Sequence, residues 1–347
     1  MLKTIAVAVA VIMVGLLFCC CRVRKAYNEA DDKIQIGFVT DSYLLERWQK
    51  DQDHFMQRAK ELGAEVLVKY TGESSEEQIR VVEDIIQQDI DVLVIIPYDK
   101  DALSVPIKKA RDRGIKVIAY DRLVMNAPVD LYISFNNYDV GRLMAQSLLQ
   151  AVPRGNYVII NGSIYDHNST MINQGYLEVL QTAIDNGDIM IVDDTWANVW
   201  RSEIAYDYIN ELLASGVVMD AVLCGNDTLA EGAIKALSEN MLAGQVMVSG
   251  QDTELAACQR IVEGTQYVSI YKPIKILAEG AAEAAISLAK GEPVKANGSI
   301  NNGSYMIPYI MYEPIAVTKY NIDDTVIADK FHLREEVYRN IPPEQWP

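Results

Sequence analysis

The residues best equipped for chemistry in this sequence stand directly after short apolar runs. Asp121 and Arg122 follow Val-Ile-Ala-Tyr120, and Asn136 follows Ile-Ser-Phe135. Asn226 and Asp227 follow Leu-Cys-Gly225, Asp252 follows Val-Ser-Gly-Gln251, and Lys272 follows Ser-Ile-Tyr271. A carboxylate only accepts hydrogen bonds, a guanidinium or ammonium only donates, and an amide does both. Brought together, these groups offer paired donors and acceptors of the kind that adjacent hydroxyls on a sugar ring can use. Trp196 and Trp200 lie just beyond another apolar run, Ile189–Val192. An indole face there can stack on the C–H side of a pyranose, and the residues alone leave open which of the two does so. Asp and Asn are also the usual helix N-caps. Asp227 is read as a cap only, whereas Asp121, Arg122, Asn226 and Asp252 are read as a binding set, because Arg and Lys do not cap.

The elements that must position these groups form a repeating unit: a β-branched apolar run, a polar turn, then an amphipathic stretch. One series of strands is expected at Ile34–Val39, Glu65–Lys69, Asp91–Ile96, Ile115–Tyr120 and Leu131–Phe135. A second is expected at Asn156–Ile160, Ile189–Val192, Asp220–Cys224, Gln245–Ser249 and Tyr267–Tyr271. Their nearly continuous Val/Ile/Leu character is that of strands buried on both faces of a parallel sheet. Helical stretches such as Leu44–Leu62, Glu76–Gln88, Ala102–Arg113 and Thr228–Glu239 alternate with them. Two rounds of this alternation predict two doubly wound α/β lobes. Ile274–Lys290 reads as one more helix, and Pro308–Met311 and Pro314–Val317 as short strands that must join the sheets already present. The chain then crosses between lobes near Asn136–Asn137, Tyr271–Pro273 and Ile310–Glu313. The lobes are expected at 34–135 plus 273–309 and at 138–271 plus 311–335, joined by a multi-segment hinge. In such sheets a ligand sits outside the carboxyl ends of the strands, where the polar set lies.

Composition agrees with two packed cores and excludes several classes. Of 347 residues, 50% are hydrophobic and 23% charged, so disorder and low complexity are excluded. With 31 Lys+Arg against 48 Asp+Glu, the net charge of −17 argues against nucleic-acid binding, which needs cations against phosphates. His54, His167 and His332 stand apart, with no Cys or His at ligand spacing, so no metal or cofactor is expected. There is no G-x-S-x-G, P-loop or G-x-G-x-x-G, and nothing points to an enzyme. Three of the five cysteines, Cys19 to Cys21, close an apolar run that begins after Lys3 and is followed by Arg22, Arg24 and Lys25. Residues 1–25 are therefore read as an export signal or membrane anchor. Lipidation at Cys19 or Cys20 is favoured over an uncleaved spanning helix, although Phe18 or Cys19 replaces the small residue expected just before the modified cysteine. Of the remaining two, Cys224 reads as a small buried hydrophobe.

Certain motifs carry a resemblance: Glu46-Arg-Trp-Gln-Lys-Asp51, Asp91-Val-Leu-Val-Ile-Ile-Pro-Tyr98, Ala119-Tyr-Asp-Arg122, Tyr132-Ile-Ser-Phe135, Ser249-Gly-Gln-Asp252 and Tyr271-Lys-Pro-Ile274. Over residues 34–335 the chain resembles the xylose-binding branch of the ribose/galactose-type periplasmic sugar-binding family of ABC import. The resemblance implies a type I periplasmic-binding-protein fold that closes over one monosaccharide, D-xylose or a relative, without catalysis. It places sugar contacts on Arg47, Asp121, Arg122, Asp166, Asn168, Trp200, Asn226, Asp252 and Lys272, choosing Trp200 as the stacking ring. Departures occur at Asp41-Ser-Tyr-Leu-Leu45, at His167 and at Asn173. The implied partner is an ABC permease. The alternative is a membrane sensor kinase or chemoreceptor that reads the sugar-bound state without transport. A sugar-responsive repressor shares the fold but needs a DNA-binding head and a basic surface, and the N-terminal segment and acidity disfavour both.

Overall fold

The computed structural model describes residues 33–41 and 46–347. Residues 1–25, with the lipidation candidates Cys19 and Cys20, lie outside the described residues. Among the described residues no helix is long and apolar enough to cross a membrane.

The strands are β1 (Gln35–Thr40), β2 (Glu65–Tyr70), β3 (Val92–Ile95), β4 (Lys116–Tyr120), β5 (Leu131–Phe135), β6 (Gly155–Ser163), β7 (Ile189–Ala197), β8 (Ala221–Cys224), β9 (Met247–Gln251), β10 (Val268–Tyr271), β11 (Gly298–Asn301), β12 (Met306–Tyr312) and β13 (Ile315–Val317). The α-helices are α1 (Glu46–Glu61), α2 (Ser75–Ile85), α3 (Ser104–Asp112), α4 (Asn137–Ala151), α5 (His167–Asp185), α6 (Ser202–Ala214), α7 (Asp227–Glu239), α8 (Leu255–Glu263), α9 (Ile274–Lys290) and α10 (Arg334–Val337). They build two α/β lobes. One holds a seven-stranded sheet in the order β11-β12-β5-β4-β3-β1-β2, the other a six-stranded sheet in the order β13-β10-β9-β8-β6-β7. Every pairing is parallel except β11 with β12 and β10 with β13.

The inner strands β3, β5, β8 and β10 are buried along their whole length, as their unbroken apolar runs require. Helices enter and leave at points that local chemistry dictates. Ser74 caps α2 by accepting from Glu77 N, and Gly114, at φ 87°, ends α3 and turns the chain into β4. Three connections join the sheets: β5 to α4 at Asn136, β10 to α9 at Lys272–Pro273, and β12 to β13 at Glu313–Pro314. β12 stays in the first sheet as far as Tyr312, which pairs with Phe135. The tail builds no core of its own: Ile322, Val326, Val337 and Tyr338 pack against Cys258, Ile261, Tyr271 and Val317. Cys224 is fully buried in the second lobe, and burial pushes its thiol up, out of the reactive range.

In that lobe α4 and α5 cross closely enough that a Cβ on Gly141 would overlap the Ile172 carbonyl. Gly141→Ala is expected to destabilise the protein by about 1–2 kcal/mol, because backbone, unlike a flexible side chain, must move. Urea unfolding checks this, and an unchanged midpoint would show that the helices separate freely.

Candidate ligand-binding site

The carboxyl ends of both sheets converge on one cavity. Its wall includes Arg47, Asp121, Arg122, Asp166, Asn168, Trp200, Asn226, Asp252 and Lys272, so the structure brings together all nine residues singled out from sequence. Trp48, Gln251 and Glu254 also line it and were not expected. Two of these sit within quoted motifs. Trp48 is adjacent to Arg47 and Gln251 to Asp252, so the motifs carried a signal for them. Glu254 has none, since a Glu at the start of a helix reads as an end-of-helix charge.

Arg47 projects from the first turn of α1 into three carboxylates. It pairs with Asp121, with Asp51 at 3.3 Å and with Asp252 at 3.2 Å. Burial alone would make it easier to deprotonate, yet Asp121, Asp51 and Asp252 together hold it firmly charged. Burial lifts Asp51 to about 6 despite Arg47, and the Tyr120 hydroxyl donates to it. Arg122 sits between the lobes with its fork split: Nη1 donates to Asp41 Oδ2 at 2.7 Å and Nε pairs with Asp166 Oδ2 at 2.9 Å. Its guanidinium and that of Arg47 lie 5.3 and 4.6 Å from the Trp48 ring centre, distances at which an indole stabilises a cation.

Backbone turns aim several of these groups. Asp121 has φ 60° and Asp252 φ 92°, left-handed values that swing the chain away as each strand ends. Such strain costs of order 1–3 kcal/mol per residue and collects at functional sites. The turned Asp121 carbonyl accepts from the Tyr132 hydroxyl at 2.9 Å, from Ser134 Oγ at 2.7 Å and, across the cleft, from Asn168 Nδ2 at 3.1 Å. On the second lobe, Asp166 caps α5 through Asn168 N and Asn226 caps α7 through Leu229 N. Capping and lining are thus compatible, because one oxygen serves the helix while the second polar atom is left for other partners, which for Asp166 is Arg122.

Asp227 departs from its expected role. It is the first residue of α7 rather than its cap, and its carboxylate accepts from Gln266 Nε2, Ser269 Oγ and Glu254 N, tying α7 to the ends of β9 and β10. Burial raises it to about 7. Lys272 Nζ meets Asp252 Oδ1 at 2.7 Å; burial pushes the Asp252 carboxyl up, but Lys272 and Arg47 outweigh this and hold it below the usual range.

The two tryptophans part company. Trp196, on the edge strand β7, is 37% exposed, while Trp200 lines the cavity. A Cβ on Gly162, near the end of β6, would lie within the six-membered ring of Trp200. The absence of a side chain there leaves room for the indole against β6. Of the sites where the chain departs from the family pattern, Asn173 donates to Asn161 Oδ1 at 2.8 Å, and burial lowers the His167 imidazole. Residues 42–45 lie outside the described residues.

Pairs that cross the cleft hold the lobes together. Besides Arg47–Asp252 and Arg122–Asp166, Lys100 Nζ donates to the Ile164 carbonyl at 2.7 Å and Arg201 pairs with Glu73. Tyr98 stacks with Tyr165, ring centres 6.3 Å apart. Among the described residues no group of three or more His, Cys, Asp or Glu is placed to hold a metal ion. The cavity wall thus sets charged and amide groups from both lobes beside the indoles of Trp48 and Trp200.

Residues 36–293 match the family model described as periplasmic binding protein domain. The chain belongs to this family. Among curated relatives, this periplasmic binding protein is 45% identical over 306 residues to the D-xylose-binding periplasmic protein of Haemophilus influenzae, covering 88% of this chain and 92% of that one. It is 44% identical to the protein of the same description from Escherichia coli, with 88% and 93% covered. Solved structures agree. A solute-binding protein of an ABC transporter from Clostridium phytofermentans, with bound β-D-glucose, superposes with a TM-score of 0.80 at 27% identity, covering 87% of this chain and 99% of that one. A carbohydrate transporter solute-binding protein from Chloroflexus aurantiacus, in complex with D-glucose, gives 0.82 at 26% identity, with 88% and 98% covered.

Proposed function

We propose that this chain is an extracytoplasmic solute-binding protein that encloses one monosaccharide, D-xylose, between its lobes and delivers it to an ABC permease. The observation that carries the reading is the set of charged pairs from opposite lobes around the Trp200 shelf. The indole supports the C–H face of a pyranose. Arg47, Asp121 and Arg122 from one lobe, and Asp166, Asn168, Asn226, Asp252 and Lys272 from the other, supply donors and acceptors to its hydroxyls. Because each lobe contributes only part of this set, a sugar binds the closed form more tightly and shifts the population toward it. The two relatives named for D-xylose, at 44 and 45% identity, support the choice of sugar. The chain acts as a carrier without catalysis. Residues 1–25 serve as export segment and tether, with Cys19 or Cys20 as the lipid attachment point.

Calorimetry with a panel of pentoses and hexoses is expected to show one tight site for D-xylose and weaker or no heat for ribose and glucose. Micromolar binding of glucose or ribose with no heat from xylose would reverse the choice of sugar.

A further inference from the structure

Three carboxyl groups meet where β8 and β9 end: Asp227, Asp252 and Glu254. They are unequally supplied with positive charge. Asp252 touches both Lys272 and Arg47. Asp227 is wholly buried and satisfied by neutral donors, while Arg260 reaches only its backbone carbonyl, at 3.1 Å. Glu254 lines the cavity and accepts from Thr228 Oγ1 at 3.0 Å. Among the described residues no cation contacts its carboxyl group.

We propose that Glu254 is a further ligand-contacting side chain of this cleft and works as a neutral carboxylic acid, donating a hydrogen bond to a hydroxyl or ring oxygen of the bound sugar. This rests on the sugar-binding reading above and adds a residue to it. The physical reason is crowding. Asp252 keeps its charge because Lys272 and Arg47 touch it, whereas Glu254, two residues on, touches no cation among the described residues. The groups facing Glu254 are Asp227 and Thr228 from α7, Asp252 from the end of β9 and Arg260 from α8. Beyond them stand Lys272 and Arg47 on Asp252, and His332, whose Nε2 lies 2.8 Å from the Thr253 carbonyl. Burial, then Asp227 and Asp252, raise Glu254 to about 8, outweighing the Thr228 hydrogen bond and Arg260. At neutral pH the group therefore keeps its proton, and one side chain offers both a donor and an acceptor without adding negative charge to the cleft.

The sign of the pH dependence follows. The donating form is the protonated one, so affinity is full below about 8 and is lost as pH rises through that value. Titration calorimetry with D-xylose from pH 6.5 to 9.5 tests this on the full chain. The wild type is expected to hold a constant affinity up to about pH 7.5, then weaken by roughly tenfold per pH unit above 8, with proton uptake on binding visible as buffer-dependent heat. Glu254→Gln, a permanently neutral donor of similar shape, is expected to lose the fall above pH 8 and the proton uptake that accompanies it, whatever its affinity at pH 7, while any slope that Asp227 adds near pH 7 is common to both proteins. Glu254→Leu is expected to bind roughly tenfold more weakly at pH 7, the value of one hydrogen bond left unmade. A flat wild-type profile, or an unchanged slope in Glu254→Gln, overturns the role of Glu254 and assigns any slope to another group. No binding of any panel sugar by the wild type at pH 7 overturns instead the reading on which the proposal rests. Thermal melts of each variant confirm that loss of binding is not loss of fold.

Discussion

Arg122→Ala is expected to weaken sugar binding by roughly two to three orders of magnitude and to lower the melting temperature at the same time. Arg122 is buried and divides its fork between Asp41 and Asp166, one carboxylate from each lobe. Truncation leaves both buried carboxylates without their cation, and breaking a buried pair in this way typically costs about 3–5 kcal/mol. Part of that loss falls on folding, through Asp41 in the same lobe. The rest falls on closure, because the Asp166 contact exists only when the lobes meet. Arg122→Lys is expected to recover little, since a single ammonium cannot serve both sides. Calorimetry and thermal melts separate the two components, and an alanine variant binding within threefold of wild type would remove Arg122 from the site.

The second large effect concerns a residue with no side chain. Trp200→Ala is expected to cost roughly 2–4 kcal/mol of binding, the range of a central aromatic anchor. Gly162→Ala is expected to cost nearly as much, although it adds only a methyl group, because that methyl occupies the space of the Trp200 ring. If the glycine matters only as a floor for the indole, the double variant is no worse than either single one. The test is therefore a double-mutant cycle by calorimetry. Additive losses would show that Gly162 acts independently of the ring, and full binding by Gly162→Ala would show that the indole does not rest there.

Much of the architecture was legible because burial writes itself into composition. Strands covered by helices on both faces must be apolar throughout, and β3, β5, β8 and β10 declare themselves in this way. Edge strands are less obvious. β7 continues through Asp193, Asp194 and Thr195 to Ala197, where polarity argues for a loop, because an edge strand leaves part of its surface to water. β11, Gly298–Asn301, carries little strand propensity and exists by pairing with β12.

The candidate site divides along the same line. That charged and amide residues follow apolar runs is visible in the chain itself, and with the strand-end rule it places Asp121, Arg122, Asn226, Asp252 and Lys272 on one rim. Their pairing is not visible. Arg47 and Asp252 are 205 positions apart, yet lie 3.2 Å from each other. Asp227 looks like a helix cap, but folding turns it into the tie between α7, β9 and β10 because Gln266 and Ser269 arrive beside it.

By itself, the sequence determined two doubly wound lobes, the rim on which polar groups gather and a net acidity unsuited to nucleic acid, since each follows from local pattern or composition. Only the tertiary structure decided which carboxylates touch a cation, that Gly162 makes room for Trp200, and that Glu254 stands in the cavity wall with no cation in contact among the described residues. The physical reason is that charge state and shelf geometry depend on distances of a few ångströms between groups far apart in the chain, and burial sharpens those interactions after the chain has folded.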